Sequence, residues 1–198
     1  MPIPFPLDPA RTALLSMDMQ TFIVSVYVKD QDEFLARCAG VLQASRARGL
    51  AVLHVQVGFR PGLPEVSSRN QLFGAIKSSP QHQKIFEGSA GAIHPTVAPQ
   101  GDDIVVIKHR VSAFAGTDLE MILGAHEIDT LVLFGIATSG VVLSTLLHAS
   151  DADYRPIVIK DCCADSDLEV HACLIDKFFP RRATVVSAAE FLDALSAP

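Results

Sequence analysis

At 198 residues the chain is long enough for one domain with a sizeable buried core; 49% of its residues are hydrophobic and its mean hydropathy is +0.32. A formal net charge of −6 argues against a nucleic-acid backbone or an anionic membrane as the main partner, and no apolar run approaches the roughly 18 residues that span a bilayer. The opening MPIPFPLDPA has neither a basic start nor an apolar signal core, so a cytoplasmic protein is expected, with part of the hydrophobic surplus covering a homo-oligomer interface (dimer or larger).

In chain order, the first aliphatic run is 12–17 (TALLSM), short and continuous enough for a strand covered on both faces. Asp30 followed by Glu33 is a variant capping box. The helix it starts carries Phe34, Leu35, Cys38, Val41, Leu42 and Ser45 at spacings of three and four, and Gly49 ends it. A second strand is predicted over 51–57 (AVLHVQV). Residues 58–102 then break the rhythm: the segment is rich in proline and glycine, with short helical stretches at 69–77 and 81–86. A connection of that length suits a lid, a binding loop or an interface arm. Further strands are predicted at 103–107, 130–134, 156–160 and 184–186, with helix starts at the Thr117–Glu120, Ser166–Glu169 and Ser187–Glu190 boxes. Such alternation gives right-handed crossovers. The expected fold is therefore α/β: a single domain, 1–198, forming a three-layer α-β-α sandwich around a six-stranded, mainly parallel sheet.

Ligands of open parallel sheets bind beyond the carboxyl ends of the strands, which turns the strand assignments into a site. The first strand ends at Asp18, the third at Lys108, the fourth in GIATSG with glycines at 135 and 140, and the fifth at Asp161. Each charge has a structural alternative: a carboxylate after a strand caps the next turn, and a strand-end lysine is commonly solvated. For Asp161 the structural role is preferred. Asp18 and Lys108 strengthen each other, because two opposite charges held close each favour the other's ionised form. Cys38, Cys162, Cys163 and Cys173 lack zinc spacing, and buried free thiols are expected. With no G-x-G-x-x-G and no G-K-[ST], no nucleotide cofactor is expected.

The order D-x-Q-x-F after the first strand (DMQTF, 18–22), K-x-x-x-S-A-F after the third (KHRVSAF, 108–114) and G-x-x-T then V-x-x-T (GIATSGVVLST, 135–145) resembles the isochorismatase-like family of hydrolases. HP at 94–95, GTDLE at 116–120 and DYRPIVIKDCCAD at 153–165 add to a resemblance that spans about residues 10–190. In most members a cysteine, an aspartate and a lysine form the catalytic group of this cysteine hydrolase superfamily. The thiolate attacks an amide or similar centre, the aspartate takes the thiol proton and the lysine holds local negative charge. The resemblance assigns those roles to Asp18 and Lys108, but the nucleophile position falls on Val141, preceded by Gly140. Valine has no attacking atom, so the acyl-enzyme route is closed there.

True isochorismatases, which cleave a vinyl ether into pyruvate and a dihydroxy acid, also lack that cysteine. By that likeness Asp18 protonates an enol-ether carbon and helps deliver water, Lys108 holds a carboxylate or oxyanion, and the backbone at 137–141 offers N–H groups. The family's cis peptide would fall between Ala137 and Thr138, and Ala137 stands where those enzymes carry a substrate-contacting tyrosine. The expected contacts to a small-molecule substrate are Phe22, Arg60, Ala137, Thr138, Gly140 and Val141, with Arg60 facing an acidic group. Nicotinamidases of the superfamily bind zinc through an Asp-x-His pair and a second histidine after strand two. Here that stretch reads LHVQVGFRPG, His54 lies inside the strand, and no metal is expected. Two other readings stay open: a catalytically silent metabolite binder or scaffold, and a thiol hydrolase using Cys162 or Cys163.

Overall fold

The computed structural model describes residues 3–196. Its elements follow in the order β1 (Thr12–Met17), α1 (Thr21–Tyr27), α2 (Gln31–Ala47), β2 (Ala51–Val57), α3 (Gln71–Lys77), α4 (Pro80–Lys84), α5 (Gly88–Gly91) and β3 (Ile104–Lys108). Then come α6 (Leu119–Ala125), β4 (Thr130–Ile136), α7 (Leu143–Asp151), β5 (Arg155–Ala164), α8 (Leu168–Cys173), β6 (Thr184–Val186) and α9 (Ala188–Ser196). The six strands form one sheet in the order β3-β2-β1-β4-β5-β6, and every neighbouring pair is parallel. Strand order steps one way from β1 and the other way from β4. With right-handed crossovers this reversal sends helices to opposite faces and opens a crevice between β1 and β4 at their carboxyl ends.

Burial follows position in the sheet. The central strands β1 and β4 are buried at every residue, as their unbroken aliphatic runs require. The edge strand β3 alternates instead, with Val105 and Ile107 exposed and Val106 and Lys108 buried. On α2 the buried residues are Phe34, Leu35, Cys38, Val41, Leu42 and Ser45, the face its periodicity predicts. It packs on α9 over one face of the sheet. Gly49, at φ 77°, supplies the left-handed turn that returns the chain to β2.

Two boundaries differ from expectation. β3 spans Ile104–Lys108, one residue later than predicted. β5 runs to Ala164, well past the end of its apolar stretch. Its pairing with β4 jumps from Leu133↔Val158 to Gly135↔Cys163, so extra residues of β5 are accommodated in an irregular register shift. The strand therefore ends beside Asp165, and Asp161 lies inside it. Asp161 is structural: it accepts from the Ala188 N–H at 2.7 Å, holding the start of α9.

The helix starts are also instructive. Ser187 and Glu190 form the full reciprocal box, Glu190 N–H donating to Ser187 Oγ at 3.2 Å and Ser187 N–H to Glu190 Oε2 at 2.7 Å. At α8 the cap is Asp167, one residue after the predicted Ser166. Thr117 accepts from Leu119 N–H, and Asp30 makes no side-chain cap bond. The long connection is fastened to the sheet by Gln20: Nε2 donates to Val57 O and Gly91 O, and Oε1 accepts from Val57 N–H. Among the described residues no helix is long and apolar enough to cross a membrane.

Candidate active site

Asp18 is the first residue beyond β1. Its φ of 54° is unusual for a residue with a side chain and turns the chain sharply off the sheet edge, while its N–H still donates to Val55 O at 2.7 Å. Lys108 closes β3, two strands away, on the inward side of that strand's alternation. Its ammonium spans the end of β2 and donates to Asp18 Oδ2 at 2.8 Å and to Arg110 O at 3.1 Å. The pair is deeply buried, Lys108 2% and Asp18 6% exposed. Asp18 Oδ1 is also buried but has no hydrogen-bond partner among the described residues. Burial raises the Asp18 pKa above the usual carboxylate value; the charge and hydrogen bond of Lys108 and the nearby Val57 amide pull it back only in part. That amide is itself committed to Gln20.

The 135–141 turn closes the site on the β4 side. Gly135 has φ 148°, and a Cβ there would lie 2.1 Å from Met17 O, so only glycine lets β4 approach β1 just where Asp18 departs. The peptide between Ile136 and Ala137 is cis, one bond earlier than the Ala137–Thr138 position expected. Thr138 is buried; its hydroxyl donates to Ala164 O at 3.2 Å and meets His171 Nδ1 at 2.8 Å. Ser139 N–H donates to Asp165 Oδ2 at 2.7 Å. Gly140 adopts φ −100°, ψ −105°, and a Cβ on it would touch Ala137 and Val111, the latter on the segment after Lys108. Val141 is buried at 2% exposure. The second threonine of the motif, Thr145, accepts from Ala113 N–H at 3.0 Å and ties the segment after β3 to α7.

Asp18 and Lys108 thus meet, and the 137–141 turn adjoins the segment that follows Lys108. Phe22 sits half-buried on the first turn of α1. Arg60 has a side chain 66% exposed, near Glu65 (3.7 Å) and His109 (3.4 Å) on the outer loop. Cys162 is fully buried, and Cys163 donates to Ile159 O at 3.3 Å. The thiols of both are pushed far up, Cys162 first by its contact with Cys38 and then by burial, Cys163 by burial. His54 is buried against Asp103 at 3.0 Å, and burial lowers its pKa. No group of three or more histidine, cysteine or acidic side chains is arranged for a metal among the described residues.

Sequence reasoning missed a cavity at the end of β5. There α1, the start of α2, the end of β5 and α8 enclose a cavity of about 440 Å³, lined among others by Tyr27, Cys163, Asp165 and His171. Only the strand-end acid had a legible signal, and the misplaced end of β5 hid it.

The isochorismatase domain model matches residues 12–190. The chain is 31% identical over 194 residues to the isochorismatase family protein YecD of Escherichia coli O157:H7, covering 96% of this chain and 98% of that one. It is 28% identical to a maleamate amidohydrolase of Pseudomonas putida (93% and 87% covered). Identity is 30% to the ureidoacrylate amidohydrolase RutB of Methylobacterium radiotolerans (100% and 84% covered). Among solved structures, an isochorismatase family protein from Burkholderia thailandensis superposes with a TM-score of 0.85 at 29% identity, over 97% of this chain and 98% of that one.

Proposed function

Since the chain belongs to the isochorismatase family, we propose that it is a hydrolase of small organic acids, enol ethers or amides that works without a cysteine nucleophile, with Asp18 as general acid–base and Lys108 as its electrostatic partner. The observation that carries this reading is the asymmetry of the Asp18 carboxyl: Oδ2 holds the Lys108 ammonium, while Oδ1 is buried with no partner among the described residues. A buried acceptor left without a hydrogen bond is costly, and one bond to a substrate or water removes that cost. Burial raises the Asp18 pKa above the ordinary carboxylate value, which suits a group that cycles a proton: Oδ1 passes a proton to a substrate atom, and the carboxylate, held by Lys108, takes one back from attacking water. Lys108 also stabilises negative charge developing on the substrate.

Val141 occupies the position that the family resemblance gives to the nucleophile. An apolar side chain there leaves water as the attacking group and excludes an enzyme-bound ester or thioester at that residue. Recruitment of Cys162 or Cys163 is disfavoured by burial, since the thiolate is the reactive form and both thiols are held protonated. The silent-binder reading is disfavoured by the cost of a buried ion pair that a scaffold does not need.

The test is turnover by wild type and Asp18→Asn on isochorismate, maleamate and ureidoacrylate. Hydrolysis by wild type that persists in Cys162→Ala and in Cys163→Ala, and disappears in Asp18→Asn, supports the reading. Equal behaviour of wild type and Asp18→Asn on every compound overturns it in favour of a silent binder, and loss of activity in either cysteine variant of normal fold overturns it in favour of a thiol enzyme.

A further inference from the structure

The Lys108 ammonium meets two acceptors, and only one of them belongs to the proposed catalytic pair. Nζ lies 2.8 Å from Asp18 Oδ2 and donates to Arg110 O at 3.1 Å. An ammonium carries three N–H groups and turns about its Cε–Nζ bond until acceptors stop it. With one N–H on the Arg110 carbonyl and another facing Asp18, the direction of the third is set. That third N–H has no partner among the described residues, so it is the one free to meet charge developing on a substrate.

The direction of the carbonyl itself needs a cause. Residues 109–111 leave the strand in bends, and no backbone–backbone bond holds them among the described residues. The Arg110 side chain supplies the hold. Its guanidinium curls back to donate from Nη1 to His109 O, and reaches across from Nη2 to Glu65 O at 2.7 Å. A planar fork seated on two carbonyls fixes orientation as well as distance, which a single ammonium cannot do. Arg60 and His109 turn to a different atom, Glu65 Oε1, at 3.7 and 3.4 Å. On its other side the segment is tied down by Ala113 N–H on Thr145, and Val111 abuts the turn at Gly140. The stretch after Lys108 is thus gripped between the 58–102 connection and α7, with Arg110 as the grip next to the ammonium.

We propose that Arg110 is a positioning residue for Lys108: by locking its own carbonyl against the ammonium, through its bonds to Glu65 O and His109 O, it aims the remaining N–H of Lys108 at the reacting group. The aim at a reacting group rests on the hydrolase reading; the lock on the ammonium does not. Lys77 provides an internal comparison. Its Nζ donates to Leu63 O at 2.8 Å and Val66 O at 2.9 Å, so it staples the same loop without joining the chain of bonds that ends on Lys108.

The test reads the ammonium directly, by nuclear magnetic resonance of isotope-labelled lysine side chains at neutral pH. The Lys108 signal is the slowly exchanging one that Lys77→Ala retains and Lys108→Met lacks. In Arg110→Ala its proton exchange should quicken by at least about fivefold. Arg110→Lys, with one point of attachment for two, should recover part of the protection, and Lys77→Ala should leave the exchange rate unchanged. Should Arg110→Ala not fold, Arg110→Lys carries the test, with exchange at least about twofold faster than in wild type expected and an unchanged rate overturning the proposal. With whichever of isochorismate, maleamate and ureidoacrylate the wild type turns over, Arg110→Ala should lower kcat by about tenfold and move KM by less than about twofold. Unchanged exchange in Arg110→Ala overturns the proposal. Equal quickening in Lys77→Ala does so too, by making Arg110 an ordinary loop staple, as does a quickened ammonium with unchanged kcat. Turnover of none of the three compounds by wild type removes the hydrolase reading, while the exchange comparison still decides whether Arg110 locks the ammonium.

Discussion

Two aspartates with buried side chains, Asp103 and Asp18, lie at opposite ends of the sheet and are built to opposite purposes. Asp103, at the start of β3, accepts from Arg46 Nη2 at 2.6 Å, from Arg46 Nε, from Gln100 N–H at 3.0 Å, and contacts His54 at 3.0 Å. Burial alone would raise its pKa, but these partners outweigh burial and hold it below the ordinary value. Asp18, at the other end of the sheet, has one charged partner and an oxygen with none among the described residues, and its pKa moves up. A saturated carboxylate is a strut. One left half-empty, at the β1/β4 reversal, has capacity for another molecule.

The largest expected effect tests the half-empty end. Asp18→Asn keeps the shape but cannot cycle a proton, and activity on any true substrate should fall by about a thousandfold or more. Initial rates with purified protein of normal circular dichroism check this. A loss below tenfold would make Asp18 another strut and erase the contrast. Lys108→Met comes next. It leaves Asp18 buried without its counter-charge and should cost about 3–5 kcal/mol of stability. The pH dependence has a defined sign. Asp18 in the folded state sits above its unfolded value of 3.8, so the native protein binds the extra proton, and stability falls as pH rises from 3.8 toward the folded value. Removing the ammonium raises that folded value further. Urea midpoints should therefore separate from wild type more widely at pH 8 than at pH 5, and a constant gap would show that the pair is not what sets the Asp18 proton.

Much of this contrast was legible in the sequence. The runs at 12–17, 51–57 and 184–186 coincide with β1, β2 and β6, and the ends of β1 and β3 carry Asp18 and Lys108. Continuous apolarity is a strong signal for central strands because both faces are covered. The signal failed on β5, where Lys160 and Asp161 interrupt the apolar run while the backbone stays in the sheet through the irregular register. Asp165 and its cavity were lost with it. Tyr27 and His171 were illegible for another reason: each lies on a short helix that buries at most one residue, so no periodicity flags them. Arg60 was marked by its place after β2, but a loop residue's partners depend on the path of the loop, which composition does not encode.

The saturated end gives a middle-sized effect of a different kind. Asp103→Asn should cost about 2–3 kcal/mol, from the lost charge-assisted bonds to Arg46, and leave turnover unchanged. The partners of Asp103 hold its folded-state pKa below the unfolded value of 3.8. Its contribution is thus fully present above pH 3.8 and disappears as pH falls through the folded value. Acid titration monitored by circular dichroism should show a shallower transition in the variant, and a parallel loss of activity would deny that the two clusters have separate tasks.

The smallest effect asks whether saturation counts at helix starts as it does at the carboxylates. Ser187 and Glu190 satisfy each other's backbone N–H groups, whereas Asp30 makes no side-chain cap bond at all. Ser187→Ala should lower stability by about 1 kcal/mol, and Asp30→Ala by only a few tenths, the remnant of its charge near the N-terminus of α2. Both sites carry a cap candidate followed three residues later by glutamate, so a sequence-only account predicts similar losses. Thermal melts of the two variants at one salt concentration decide between pattern and partner: matched shifts would mean that Asp30 caps in solution, and that hydrogen-bond saturation does not separate the two starts.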